Sequence, residues 1–465
     1  MRRYFGRTQI FTDETEINSA NVVAVIQKAM NIHRKNASEI KYLYNYYKGK
    51  QPIYLRQKEI RPEICNKIVE NWAYKIVSFK VGYICGSPIQ YVSANTEKNV
   101  SDSIDNLNNL MEYNGKATLD KELFEWQYIA GTSYRMVLPS DDLPFSLYTL
   151  DPMLSFVIYS NDYRKKKLAG VTYSVSSENG AMINTYSVYT DDRYFEIKDN
   201  EIVKNEPNLI GIPIFEYPAN NARLSAIEIV IDLLNAINDL DSNRLDGVNQ
   251  FIQSLIVVYN ATLGDATSNE IRDKGLIELK SIGENKADIK VISEELSQDQ
   301  TQTLKNDLIQ RVREIVGLPS QGSGDTGDSS NNGAQLLKGG WEDAETRAKA
   351  TETMFKKNET DFLKTVLFIC SNYVNNDIKL EYKDVAIQFT RRNYENLQSK
   401  AQVLTSMLAT EKINPKLAFQ SSGMFTDPEK AYRESQEYYE RVGRTEQSNN
   451  TVPNNGGNPE SGETV

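Results

Sequence analysis

Apolar residues recur at helical spacing from Ile17 to Lys48, predicting a long helix with a break near Asn36 and a stop at Gly49. A second helix is predicted over about 66–79, on the stripe Ile68, Trp72, Ile76 and Phe79. Gly82, Gly86 and Pro88 interrupt the pattern, and Ile89–Val92 reads as a short strand. Two more helices follow near 100–113 and 117–130. From Thr132 to about Tyr217 the period changes to two. Tyr134–Leu138, Val171–Val175, Tyr186–Tyr189 and Tyr194–Ile197 alternate and are parted by Asp, Asn, Gly and Ser clusters, the pattern of an antiparallel meander.

Ser225 and Glu228 then form the signature of a capping box, with Leu224 and Ile229 placed for a hydrophobic staple. The helix they open carries an apolar stripe of Ile227, Ile231, Leu234, Ile237, Leu245, Val248, Ile252 and Leu255. Its other side holds Asp232, Asp239, Asp241, Arg244 and Asp246, read as a solvated face. At ~1.5 Å per residue, some 30 residues make a rod of roughly 45 Å. A small segment at 255–296 holds strand-like runs at 256–259, 276–279 and 289–292. A second rod is expected from Ser297, with Gln300 completing a capping box, a stripe of Leu304, Leu308, Val312 and Ile315, and a stop at Gly317 and Pro319.

Ser320–Gly333 contains no apolar residue and reads as a loop inside the domain, because helices flank it. A long helix is predicted from near Ala334 to about Val374, kinked at Gly339-Gly340, on the stripe Trp341, Ala344, Ala348, Phe355, Phe362, Val366 and Ile369. A strand at Val385–Phe389 and two or three helices follow, the last opened by Asp427-Pro428. From about Thr445 the composition predicts disorder. The pattern as a whole is α+β and mainly helical.

Composition narrows the function classes. The 465 residues suffice for two to four domains, and the formal charge of −10 argues against a surface built to grip nucleic acid throughout. Cys65, Cys85 and Cys370 form no CxxC pair; they are read as small buried hydrophobes of a reducing compartment. His33 is the single histidine, which removes most zinc enzymes; beside Arg34 and Lys35 it is expected at a surface or interface. Arg2 and Arg3 are not followed by the apolar run of a signal peptide, and no segment approaches the ~18 apolar residues of a membrane span.

No catalytic, cofactor or metal constellation emerges. Gly322, Gly324 and Gly327 match GxGxxG but follow a predicted helix, where dinucleotide binding needs a strand before the motif. There is no GxxxxGK[ST]. Asp239-Leu-Asp241 opens like a calcium loop, but Arg244 and Gln250 stand where Gly and Glu are required. Arg164-Lys165-Lys166-Lys167 reads as a solvated hairpin tip, with contact to phosphates or an acidic partner as the sharper alternative. The 27 tyrosines suit half-buried sheet and protein–protein contacts.

In order along the chain come Asn66–Val77, Gly82–Ile89, Leu150-Asp151-Pro152, Gly211–Tyr217 running into Leu224-Ser225, and Phe389–Asn393. Together these segments resemble the portal proteins of tailed bacteriophages, the group typified by phage SPP1, from about Asn31 to Val442. One departure is Asn332-Gly333-Ala334-Gln335-Leu336-Leu337, which stands where the family usually has Ser-Gly-x-Ala-Leu.

The resemblance implies the portal fold. Residues 1–223 would be the wing region, 224–254 and 297–317 the two stem helices, 255–296 the clip and 318–333 the tunnel loop. Residues 334–389 would be the long kinked helix with its return to the wing, 390–444 the crown helices and 445–465 a disordered tail. It implies a homo-oligomeric ring of twelve subunits at one capsid vertex of the virion, assembled in the host cytoplasm. Double-stranded DNA would pass non-specifically through the ring. The partners would be the terminase large subunit, a head-completion adaptor, and the major capsid and scaffolding proteins, with no membrane, cofactor or enzymatic activity.

The implied channel contacts are Gln321, Ser323, Asp325, Thr326, Asp328, Asn331, Asn332 and Lys338. Because Ser320–Gly333 holds two aspartates and no cation, its contact with DNA is expected to be weak and non-adhesive. The alternatives are a structural ring or scaffold without a DNA channel, and an enzyme using carboxylates alone, for which no converging cluster is found.

Overall fold

The computed structural model describes residues 6–59, 62–94, 98–178, 181–252, 255–259, 288–292, 298–319, 340–373, 378–391, 397–410, 412–425 and 427–449. Strand β1 (Ile10–Thr12) precedes helix α1 (Val22–Tyr47), whose buried positions Val22, Val25, Ile26, Ala29, Met30, Ile40, Leu43 and Tyr46 keep helical spacing. The helix passes through Asn36 without the break its sequence suggests. The Asn36 amide accepts from Thr8 N–H at 3.0 Å and donates to the Thr8 carbonyl at 2.8 Å. A buried polar side chain is thereby satisfied outside its own helix, leaving the helical ladder intact.

His33 also departs from expectation. It is 2% exposed, not at a surface. Its Nε2 lies 3.0 Å from the Met153 carbonyl, and its ring centroid is 4.5 Å from that of Phe156. Burial outweighs the bond to Met153 and lowers its pKa to about 4. Cys85 and Cys370 are buried as expected, whereas Cys65 is half-buried.

Helix α2 (Trp72–Ile84) starts later than the periodicity suggests, with the Asn71 side chain accepting from Tyr74 N–H. There follow β2 (Gln90–Ser93), α3 (Lys98–Tyr113) and α4 (Lys116–Ala130). The β-rich region comprises β3 (Thr132–Pro139), β4 (Phe145–Leu150), β5 (Ser155–Ser160), β6 (Lys167–Glu178), β7 (Ala181–Tyr189), β8 (Arg193–Lys198), β9 (Glu201–Pro207) and β10 (Ile214–Pro218). Strands β5 to β9 form the expected antiparallel meander, and β1 adds to its edge in parallel, pairing Ile10 with Ile158. The remaining strands form a separate sheet in the order β10-β3-β4. The two sheets meet at Gly170, where a Cβ would come within 2.7 Å of Ile214.

The second half contains α5 (Ile231–Ile252), the antiparallel pair β11 (Leu255–Tyr259) and β12 (Asp288–Ile292), and α6 (Gln298–Val316). Helix α7 (Trp341–Asn372) begins after Gly340, which takes the left-handed conformation at φ +75°. The expected kink and the helical segment before it lie outside the described residues, as does the run at 276–279. Strand β13 (Val385–Gln388) pairs with β2, and α8 (Leu397–Leu408), α9 (Pro415–Ser422) and α10 (Pro428–Asn449) close the chain. Asp427 caps α10 by accepting from the N–H groups of Glu429 and Lys430. The helix runs past Thr445 to Asn449, further than expected, and contains Gly443 without ending there.

Two cores result. One joins α1 to the six-stranded sheet through Val25, Ile26, Met30, Phe156, Val171, Val188 and Phe195. The larger one gathers Leu43, Trp72, Ile76, Leu107, Phe124, Tyr217, Ile227, Leu234, Val312, Phe355 and Phe362. Helices α5, α6 and α7 are therefore rooted in the same apolar mass as α1 to α4.

Candidate functional site

The pair α5–α6 is the longest regular feature flanking a small insertion, and its geometry is set at three levels. At the root, Glu228 reaches back to the Ser225 N–H at 3.1 Å, the expected half of the capping box. Ser225 Oγ accepts from Ile227 N–H rather than from Glu228, because residues 228–230 form a 3-10 turn before the α-helix begins. Ile229 is exposed, and Glu228 also accepts from Arg7 at 2.7 Å. At the other root, Gly317 takes φ +69° and Leu318 N–H donates to the Arg313 carbonyl at 2.9 Å. This closes α6 as a Schellman motif, as the glycine predicts.

Along the shaft, residues 66–70 run extended beside α5. Three alternate backbone N–H groups, of Asn66, Ile68 and Glu70, donate to Asp246 Oδ1 (2.7 Å), Ser242 Oγ (2.9 Å) and Asn238 Oδ1 (2.8 Å). The match is geometric. Two extended residues span ~6.6 Å, and four helical residues span ~6.0 Å. An i, i+4, i+8 row of short polar side chains can therefore serve as the edge that a strand normally requires. Asn238, Ser242 and Asp246 are all buried. Asp246 also takes Arg56 at 2.8 Å and Lys58 at 2.6 Å. Burial opposes its charge, but the bonds from Lys58, Asn66 and Arg56 prevail and bring its carboxyl down to about 2. The reading of Asp246 as a solvated residue is thus corrected.

Between the helices, Lys305 of α6 bridges Asp241 of α5 at 2.9 Å and Glu70 at 3.0 Å, and Arg244 donates to Gln302 at 2.6 Å.

The expected stem positions divide by depth. Ile227, Leu234, Ile237 and Val312 are buried in this chain's own core, and Ile231 and Leu308 are half-buried. Leu245 and Val248 are exposed, as are Leu304 at 51% and Ile315. Ile252 is the last residue of α5. The expected loop contacts Gln321, Ser323, Asp325, Thr326, Asp328, Asn331, Asn332 and Lys338 lie outside the described residues.

Helix α7, which follows that loop, is pinned by a buried polar cluster. Glu359 is wholly buried and accepts from Arg135 at 2.9 Å, Tyr91 at 2.7 Å and Tyr217, with Lys116 at 3.1 Å. Asp120 completes the cluster by pairing with Arg135 and with Lys116 at 2.7 Å. Burial penalises the Glu359 charge, yet Lys116 and Arg135 hold its carboxyl well below the usual range. Two cations therefore face two carboxylates, the arrangement that makes buried charge tolerable. Near its start, α7 is tied again by Arg391, which pairs with Glu345 at 2.7 Å and with Glu352.

Among the described residues no group of His, Cys, Asp and Glu is placed to hold a metal ion. No helix there is long and apolar enough to cross a membrane. These elements build and position rods.

The family profile described as "Phage portal protein, SPP1 Gp6-like" matches residues 26–447. The chain belongs to this family. Portal proteins are structural components of the bacteriophage virion. A solved structure titled "Neck of empty GTA particle computed with C6 symmetry" is similar at 11% identity, covering 76% of this chain and 90% of that chain, with a TM-score of 0.45. No curated protein matches the sequence.

Sequence reasoning missed the row Asn238, Ser242 and Asp246, although its spacing of four was visible. It also missed Arg135, which the alternation of β3 places opposite Tyr134 and Met136 and which is nevertheless fully buried. Both faces of β3 are covered, one by α4 and α7, so its period of two carries no solvent signal.

Proposed function

We propose that this portal protein assembles as a ring of twelve at one capsid vertex, with double-stranded DNA packaged and ejected through the central channel. In this reading α5 and α6 are the stem, β11–β12 belong to the clip, residues 318–333 are the tunnel loop, and α8 to α10 form the crown. The region before α5, with its two sheets, is the wing. The terminase large subunit docks at the clip during packaging and a head-completion adaptor replaces it. Major capsid and scaffolding proteins surround the ring, which is assembled in the host cytoplasm. The protein has no catalytic activity of its own.

The observation that carries this reading is the family match, whose bounds, 26–447, take in both rods, the insertion between them and the polar loop. The exposed apolar positions Leu245, Val248 and Leu304 support it, because a rod rooted in its own core and apolar towards its far end calls for a neighbour. The test is light scattering with negative-stain imaging of the purified 52.8 kDa chain. A ring with a hole wide enough for a duplex is expected. A compact oligomer without a hole at any concentration would return the protein to the class of non-channel scaffolds.

The loop carries Asp325 and Asp328 and no cation between Ser320 and Gly333, so it repels phosphate and lets DNA slide. Replacing both aspartates by lysine is expected to slow packaging, with Lys338 then joined by two further phosphate contacts. Unchanged packaging would remove the loop from this role.

A further inference from the structure

The basic run 164–167 forms the turn between β5 and β6, and it does not simply face solvent. Asp162 accepts from the backbone N–H groups of Arg164 and Lys165, at 3.0 Å each, and holds Lys165 in the left-handed region at φ +47°. That conformation is unfavourable for a residue with a Cβ. The turn, β10 and one side of α7 enclose an open cleft of about 860 Å³. That size suits a ligand or a short peptide segment.

The charges of the cleft are unevenly paired. Arg164 is matched by Asp162 and Lys166 by Asp191. Lys165, Lys167 and Lys357 make no ion pair among the described residues, in a molecule whose net charge is −10. Lys167 is the most constrained. Its ammonium donates to the carbonyls of Ile212 at 3.1 Å and Ile214 at 3.2 Å and lies 4.0 Å over the Phe215 ring. Two of its three donors are used and no carboxylate lies within ion-pair distance, although Asp361 and Asp191 act on its charge from further off. Burial lowers its pKa to about 8. The wall also carries amide groups, from Asn221 and Asn358, and the 92%-exposed ring of Tyr163.

We infer that the cleft between the β5–β6 turn and α7 is a docking site for an acidic peptide segment of a partner protein. The lining sets six cations, Arg164 to Lys167, Arg223 and Lys357, against the two carboxylates Glu216 and Asp361, an excess that selects carboxylates; the amides meet a peptide backbone, and Tyr163 offers a flat apolar face. A duplex fits less well. It is a stiff rod about 20 Å across that cannot enter a concavity of this size.

The experiment uses the full-length protein and fluorescein-labelled octaglutamate, followed by anisotropy at physiological salt, with octaglutamine as control. Lys165 and Lys357 are both exposed, so the variant K165E/K357E is expected to melt with the wild type. Saturable binding of octaglutamate alone, weakened at least tenfold in the variant, is the expected result. The proposal is overturned if octaglutamate does not bind or binds the variant equally. Displacement of the peptide by a short duplex at equal charge concentration would reassign the cleft to nucleic acid. Loss of the assembled state in the variant, with no peptide binding to wild type, would reassign it to contact between copies of this chain.

Discussion

Asp246 accepts both N–H groups of Asn66, backbone and side chain, each at 2.7 Å. The carboxylate thus fixes an extended segment to a helix from a residue 180 positions away. Asp246→Ala leaves Arg56, Lys58 and the Asn66 N–H without their common acceptor, and a loss of about 3 kcal/mol is expected. Ser242→Ala removes a single neutral acceptor and is expected to cost about 1 kcal/mol. Urea denaturation of both variants checks the order; equal losses would show that the row does not act through charge.

His33 gives the fold an acid-sensitive contact. Its pKa falls from 6.5 when unfolded to about 4 when folded, so the unfolded chain binds the extra proton between those values. Its contribution is present in full above pH 6.5, declines as the pH drops, and is exhausted below pH 4. The span corresponds to on the order of 3 kcal/mol. Comparing melting temperatures of wild type and His33→Gln from pH 7.5 to 4 should show the wild type losing more. Parallel curves would mean that the ring is not held neutral.

Glu359 is the shared acceptor of the buried cluster. Glu359→Leu leaves Lys116 and Arg135 facing one carboxylate, and a loss of about 3–5 kcal/mol is expected. Adding Arg135→Met should restore part of that loss, since a buried ion pair replaced by apolar groups of similar volume is often neutral. A double-mutant cycle by calorimetry reads the coupling directly.

Leu245, Val248 and Leu304 are exposed in the single chain. Replacing each by Asp is expected to change the stability of the subunit by less than about 0.5 kcal/mol while abolishing the ring. Melting curves and light scattering on the same samples separate the two effects. Loss of subunit stability with the ring intact would show that these positions serve the chain internally.

The parts of this fold that were legible in sequence are those decided locally. Periods of 3.6 and 2 marked α1 to α4, the meander and both rods, and Gly317 with Pro319 marked the end of α6. Elements decided by distant partners were not legible. Residues 66–70 look helical because Ile68 falls in step with Trp72 and Ile76, but their backbone donors are drawn to the side chains of α5. Asn36 looks like a breaker only until Thr8 is placed beside it. Asp246 looks solvated because a charge in a sequence does not reveal its countercharge. The expected loop contacts from Gln321 to Lys338 rested on family resemblance, and their test is functional.

The wiring of Glu359 has a consequence for the order in which the chain matures. Its partners Tyr91, Lys116, Arg135 and Tyr217 precede it by between 142 and 268 residues, so they emerge from the ribosome long before it. Until α7 arrives, Lys116 and Arg135 share Asp120 alone, and the pocket they line carries an excess positive charge that favours an open, hydrated state. Arrival of a single carboxylate then neutralises the pocket and expels its water. A nascent chain ending before Trp341 is expected to be cut readily by protease within α4 and β3, and one ending after Asn372 to resist, so that a subunit seals its interior only once α7 has been made.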